Sequence, residues 1–128
     1  MLPVYHSEDF HQLTDIDINS FFLKSISKIA NCCDFEICGA ATKDKLYFFK
    51  NLSKNPQETF IVDPSEYVLF YNEIKFFFHS HCLGGAKPSG ADIEMATELG
   101  KPFLIYSNIE KNFSFYSPKN KKSIYFSL

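Results

Sequence analysis

Residues 76–92, with the sequence FFFHSHCLGGAKPSGAD, organise this 128-residue chain. An apolar run ends in His79 and His81, and a glycine-containing loop then leads to Ser89 and Asp92, where a helix is expected to begin. Histidines two positions apart on an extended strand point to the same side of it, and a carboxylate at the start of the next element can turn back towards them. Two imidazoles and one carboxylate leave a fourth position open on a zinc ion, which is the arrangement of a catalytic site.

Both halves of this stretch also have an explanation without a metal. The two histidines could be satisfied by ordinary hydrogen bonds. Ser89 and Asp92 have the spacing of a capping box at a helix start. The two roles of Asp92 are compatible, because a helix N-terminus favours the ionised carboxylate that a metal ion requires.

The rest of the chain predicts strands and helices within one domain that spans residues 1–128, with residues 1–17 as a polar lead-in. Helices are predicted over residues 18–30, with Asp15 or Asp17 as cap, over residues 63–72, which open on Asp63-Pro64, and over residues 89–99, closed by Gly100. Strands are predicted over residues 35–41, 46–49, 74–78, 103–106, 113–116 and 123–126, with a short β-branched stretch over 59–62. The strand at 74–78 is expected at the centre of the sheet, because both of its faces are apolar.

Composition narrows the class of protein. Hydrophobic residues make up 45% of the chain, so a folded core is expected. The formal net charge is −2 and every basic residue is Lys, which argues against a nucleic-acid surface. No apolar run is long enough for a membrane span, and the N-terminus lacks the pattern of a signal peptide. Four cysteines without a Cys-x-x-Cys pair indicate a reduced protein, and we expect a cytoplasmic location.

A zinc hydrolase also needs a group that accepts a proton from water. Glu36 is the candidate, because it lies in an otherwise apolar segment, Phe35-Glu36-Ile37-Cys38-Gly39. A lone glutamate at a strand start is often simply exposed, so its position alone leaves both interpretations open.

These residues resemble a known family. His79-x-His81, seven residues, and then Ser89-x-x-Asp92 resembles the JAMM motif of the JAB/MPN metalloproteases, and Glu36-x-Cys38-Gly39 resembles the segment with the family's catalytic glutamate. The resemblance covers about residues 29–118. It is strongest to prokaryotic JAB domains, especially the JAB half of phage tail assembly proteins of the lambda K type, which residues 51–56, 60–64 and 102–107 resemble.

The resemblance implies an α/β fold, a curved mixed β-sheet flanked by helices, in a layout shared with cytidine deaminases. It implies that His79, His81 and Asp92 bind one catalytic zinc ion, that Glu36 is the general acid/base, and that Ser89 helps to hold the oxyanion of the tetrahedral intermediate. The reaction would be hydrolysis of a peptide or isopeptide bond, in phage tail assembly or cell-wall processing. The partners would be a peptide or protein substrate, phage tail proteins, or a separate NlpC-type cell-wall peptidase.

Two other functions stay open, a non-catalytic JAB module of a phage tail tip and a bacterial JAB peptidase that trims a ubiquitin-like sulfur carrier. A cytidine deaminase is disfavoured, because the Pro-Cys-x-x-Cys signature is missing. Cys82 departs from the motif, since the family usually has Pro after the second histidine. Its thiol is either a small apolar filler or a group that reaches the metal or is oxidised.

Overall fold

The computed structural model describes residues 18–128, so the lead-in at 1–17, with Asp15 and Asp17, lies outside the described residues. The first predicted helix is confirmed as α1, Ser20–Asn31. Its cap is Asn19, whose side chain accepts a hydrogen bond from the Phe21 N–H at 2.7 Å. The prediction of Asp15 or Asp17 as cap is wrong, because the short Asn19 side chain lies directly at the helix start, where asparagine is among the strongest caps.

Within residues 18–128, six strands form one open, mixed sheet in the order β2-β1-β3-β4-β5-β6. Among the described strands the β3–β4 pair is parallel, and the other neighbours are antiparallel. The predicted hairpin, central strand and edge strand are confirmed. The bounds of the strands are β1 Cys38–Ala41, β2 Leu46–Phe49, β3 Phe76–His81, β4 Phe103–Ser107, β5 Phe113–Ser117 and β6 Lys122–Phe126.

The central strand β3 is buried on both faces because successive side chains enter different layers of the core. Phe76 and Phe78 pack with the apolar face of α1, whereas Phe77 packs on the opposite face with Phe103 and Ala96. A continuous apolar run is therefore expected here, since this strand has helices on both sides.

The second helix, α2, spans Gly90–Leu99 and is confirmed with both of its predicted ends. Ser89 and Asp92 form the capping box at its start. Gly100 ends it in the left-handed conformation, with φ of 67°, which a residue with a Cβ adopts only at a cost. The β3–α2–β4 connection joins the parallel strands and brings the start of α2 to the end of β3.

Two predicted elements differ from the structure. Residues 63–72 form no α-helix, but two 3₁₀ segments, Pro64–Glu66, capped by Asp63 as predicted, and Val68–Glu73. The chain leaves helical geometry at Tyr67 and again at Phe70, whose rings pack on Phe77 and Tyr47 respectively. This packing overrides the local helix signal, and aromatic residues are also weak helix formers. The stretch 59–62 is a loop rather than a strand in the described chain.

No helix within residues 18–128 has both the length and the apolar character needed to cross a membrane.

Candidate metal centre

His79 and His81 lie at the end of β3 and point to the face of the sheet that packs against α2. His79 is fully buried, and the His81 side chain is 15% exposed. Their ring centroids are 5.1 Å apart. The strand therefore presents two imidazoles side by side, as the His-x-His spacing predicts.

Asp92 turns back from the first turn of α2 and contacts both imidazoles. Its Oδ1 lies 3.0 Å from His79 Nε2, and its Oδ2 lies 3.0 Å from His81 Nε2. Oδ2 also accepts a hydrogen bond from the Ser89 N–H at 2.9 Å. Asp92 thus combines the two roles that the sequence suggests, since it completes the helix cap and faces both histidines.

The donor atoms fit a metal ion. One ligand atom from each of the three residues lies within 4.8 Å of the other two. His81 Nδ1 donates to the Gly85 carbonyl at 2.7 Å, which assigns the lone pair of the neutral ring to Nε2. Both ring nitrogens of His79 are buried without an aligned hydrogen bond from the described residues, although Nε2 lies close to the carboxylate. Two nitrogen lone pairs and a carboxylate that face one another are stabilised by a shared cation.

Burial and mutual contacts set the charges at this centre. Burial lowers the pKa of His79 and so favours the neutral ring that binds metal. Burial works to raise the pKa of Asp92, but contacts with both histidines and with the Ser89 N–H hold it below its ordinary value. Burial also works against protonation of His81, but Asp92, the Gly85 carbonyl and Glu36 together raise its pKa.

Glu36 is buried, with 5% of its surface exposed, and lies two residues before the start of β1. The predicted start of this strand at residue 35 is wrong, because the backbone here bonds to a loop. The Glu36 N–H donates to the Pro56 carbonyl at 2.7 Å, and the Asn51 side chain donates to the Glu36 carbonyl at 2.9 Å. The first bonds to β3 are made at the next residue, where the Ile37 N–H donates to the Ser80 hydroxyl at 2.9 Å and the Ile37 carbonyl accepts from the Ser80 N–H at 3.0 Å; paired strand begins at Cys38.

The register of β1 and β3 places Glu36 beside the histidines. Cys38 lies opposite His79, so the alternation of side chains brings Glu36 to the same face and towards His81. Burial raises the pKa of Glu36 to about 7, the charge of His81 lowers it, and the charge of Asp92 raises it again. A carboxyl group with this pKa holds and releases a proton near neutral pH, as a general acid/base must.

Ser89 and Cys82, the two remaining residues that the sequence analysis singles out, lie outside the contacts that join the histidines, Asp92 and Glu36. Ser89 is exposed, and its Oγ accepts the Asp92 N–H at 3.1 Å, so its hydroxyl proton points away from the helix cap. Cys82 is a free, half-buried cysteine, and burial raises its pKa to about 11. Cys82 does not belong to the cluster of converging ligand atoms found among the described residues, which favours its interpretation as a small filler.

The sequence gives little sign of the groups that hold the loop between His81 and Ser89. The Ser107 hydroxyl donates to the Gly84 carbonyl at 2.7 Å, and the buried Ser114 hydroxyl donates to the Ala86 carbonyl. Serines within apolar strands are the only signal that could have identified them, and that signal is weak. Their bonds fix a loop that carries one histidine partner, the Gly85 carbonyl.

The fold is similar to those of two solved structures. The solution structure of protein DSY2949 from Desulfitobacterium hafniense has a TM-score of 0.60 and 21% identity, and the match covers 84% of this chain and 86% of that chain. The crystal structure of AF2198, a JAB1/MPN domain protein from Archaeoglobus fulgidus, has a TM-score of 0.55 and 20% identity, over 83% of this chain and 92% of that chain.

No family model matches the chain, and no curated protein matches it. The likeness in structure confirms the predicted fold class, a mixed sheet with helices on both faces. The chain therefore has the fold of a JAB/MPN domain protein, and this fold carries a His-His-Asp cluster that could hold a metal ion.

Proposed function

We propose that this protein is a zinc-dependent metallopeptidase of the JAMM type that hydrolyses a peptide or isopeptide bond. One observation carries the proposal: the Nε2 atoms of His79 and His81 converge on Asp92, while the buried Glu36, with a pKa of about 7, lies beside them. Zinc held by these three residues would supply Lewis-acid chemistry and make water a stronger nucleophile.

Glu36 transfers the proton in this proposal. Hydrolysis adds the water oxygen to the carbonyl carbon and breaks the carbon–nitrogen bond, so one proton must travel from water to the leaving amine. The Glu36 carboxylate takes that proton and returns it to the nitrogen, and its burial, which raises the pKa above the ordinary value, favours uptake of the proton. The exposed Ser89 hydroxyl donates to the oxyanion that develops on the carbonyl.

The setting we propose is phage tail assembly or cell-wall processing, within the host cytoplasm or the virion tail. Support for it comes from the sequence resemblance of residues 51–56 and 60–64. A peptidase that trims a ubiquitin-like sulfur carrier is the alternative, and the substrate would decide between them. A non-catalytic module is the weaker alternative, because burial of Glu36 has a cost that a purely structural part of a tail does not need.

Metal content tests the first half of the proposal. We expect purified wild-type protein to hold one zinc ion per chain by mass spectrometry of the metal. His79→Ala and Asp92→Asn should lose it, whereas Glu94→Gln, which removes an exposed carboxylate on α2, should keep it. Wild-type protein that takes up no stoichiometric zinc would overturn the proposal.

Peptide cleavage tests the second half. Zinc-loaded wild-type protein should cut members of a peptide library, and a chelator should stop the reaction. Glu36→Gln should retain zinc but lose activity by a factor of roughly 100 to 10,000, the usual contribution of a general acid/base. Zinc-dependent cleavage at the wild-type rate by Glu36→Gln would refute the role of Glu36.

A further inference from the structure

An apolar cavity of about 180 Å³ lies beside the candidate metal centre, between the sheet and α2. Strands β1 to β4 supply one wall, and Met95, Glu98 and Leu99 of α2 supply the other. Val62, in the loop before the 3₁₀ segments, lines the cavity and is half-buried, and Glu98 is exposed.

The cavity and the metal centre share a wall. The Phe60 ring centroid lies 4.4 Å from that of His79, and the Phe103 ring centroid lies 5.6 Å away. Both phenylalanines also line the cavity, as does Cys38, which pairs directly with His79 across the sheet. A substrate held at the histidines thus has an apolar recess next to it on the same face of the sheet.

The volume and the lining of the cavity determine which kind of side chain it can bind. An apolar cavity of about 150 Å³ is known to accept benzene, so a cavity of 180 Å³ has room for one aromatic ring or one leucine-sized side chain. The lining is mainly aromatic and aliphatic, which suits an apolar group. The carboxylate of Glu98 is the charged group among the lining residues, and it repels an acidic side chain.

We propose that this cavity is the specificity pocket of the enzyme, and that it takes one large apolar side chain, aromatic or leucine-like, from a residue that flanks the scissile bond. The inference rests on the proposed peptidase function and adds a substrate class to it. Phe60 and Phe103 line the cavity and contact the His79 ring, so the cavity lies next to the candidate ligands, as a pocket for a flanking residue must.

Cleavage of matched peptides tests the pocket. Four peptides that differ only in the flanking residue, Phe, Leu, Ala or Asp, are compared for kcat/KM with zinc-loaded protein. Wild type should prefer Phe and Leu over Ala by about tenfold or more, and Asp should be the poorest. Equal kcat/KM values for the four peptides would overturn the pocket while leaving the peptidase function intact.

Filling the cavity provides the structural control. Val62→Trp should lower the preference for the Phe peptide, expressed as the ratio of its kcat/KM to that of the Ala peptide, by about tenfold. The matched control is Ile61→Trp, because Ile61 is the exposed neighbour and does not line the cavity. Zinc content should be unchanged in both variants. An equal loss with both peptides in Val62→Trp would contradict the pocket.

If wild-type protein cuts no peptide, a binding measurement tests the pocket independently of cleavage. N-acetyl-phenylalanine amide is added to the Glu36→Gln protein, and the methyl signals of Val62, Met95 and Leu99 are followed by NMR. Saturable shifts that disappear in the additional Val62→Trp variant support the pocket even though the peptidase function fails. An absence of shifts at millimolar probe would then overturn the pocket as well.

Discussion

Replacement of Glu36 by Gln should stabilise the metal-free protein at neutral pH while it removes the proposed proton carrier. The reason is the cost of ionising a buried carboxyl group. Burial raises the pKa of Glu36 from an ordinary value of 4.5 to about 7. At about 1.4 kcal/mol for each pKa unit, ionisation in the folded protein costs about 3 kcal/mol more than in the unfolded chain.

The direction in which the free energy of unfolding changes with pH follows from where the proton is bound. Between pH 4.5 and about 7 the folded protein keeps the proton on Glu36, whereas the unfolded chain has lost it. The free energy of unfolding of wild type should therefore fall as the pH rises through this window, and the full cost remains above it. Glutamine has no proton to lose, so the advantage of the variant should grow from near zero at pH 4 to about 3 kcal/mol at pH 8.

The assay is urea unfolding of chelator-treated protein at several pH values between 4 and 8. Wild type, Glu36→Gln and Glu94→Gln are compared, where Glu94 is an exposed carboxylate on α2. The histidines and Asp92 titrate in all three proteins, so their common contribution cancels in the difference between curves. What remains is the titration of Glu36 together with its effect on His81, whose pKa Glu36 helps to raise. A difference between wild type and Glu36→Gln that stays constant with pH, or a wild type that is more stable at pH 8, would show that ionisation of Glu36 does not destabilise the folded protein.

Three further changes test the elements that support the site. Ser89→Ala removes the α2 cap and should lower the free energy of unfolding by about 1 kcal/mol in urea, whereas Ser89→Asn, which keeps a capping side chain, should lose much less. Gly39→Ala should cost about 3 kcal/mol and lower Tm, because the new Cβ would lie 1.9 Å from the Tyr47 carbonyl oxygen. Gly100→Ala should cost about 1 kcal/mol, because φ is 67° there, and an unchanged Tm would contradict this.

The parts of the fold that depend on local chemistry could be predicted from the sequence. The ends of α2 follow from Ser89, Asp92 and Gly100, whose preferences act within a few residues. The convergence of Asp92 on the two histidines follows from the same cap, because it fixes the direction of the carboxylate at the helix start. Local rules therefore account for most of the candidate metal centre.

The parts that depend on distant contacts could not be predicted. Asp63 and Pro64 mark a helix start correctly, but Tyr67 and Phe70 pack on strands and shorten the helix into 3₁₀ segments. The burial of Glu36 requires the loop that carries Pro56, which no pattern near Glu36 indicates. The cavity beside His79 likewise exists only once the sheet and α2 have packed.

The candidate ligands lie close to one another in the sequence, whereas Glu36 lies far from all of them, and this difference has a consequence for folding. The three candidate ligands fall within residues 79–92, so only a short loop must close to bring them together. Glu36 joins them only when β1 pairs with β3, through contacts such as that between Ile37 and Ser80, which are 43 residues apart. Short-range contacts form before long-range ones, because the entropy lost on closing a loop grows with its length. Under the proposed function, a newly made chain would therefore capture its metal ion before Glu36, the proposed proton carrier, is in place, so that metal binding would precede the onset of activity.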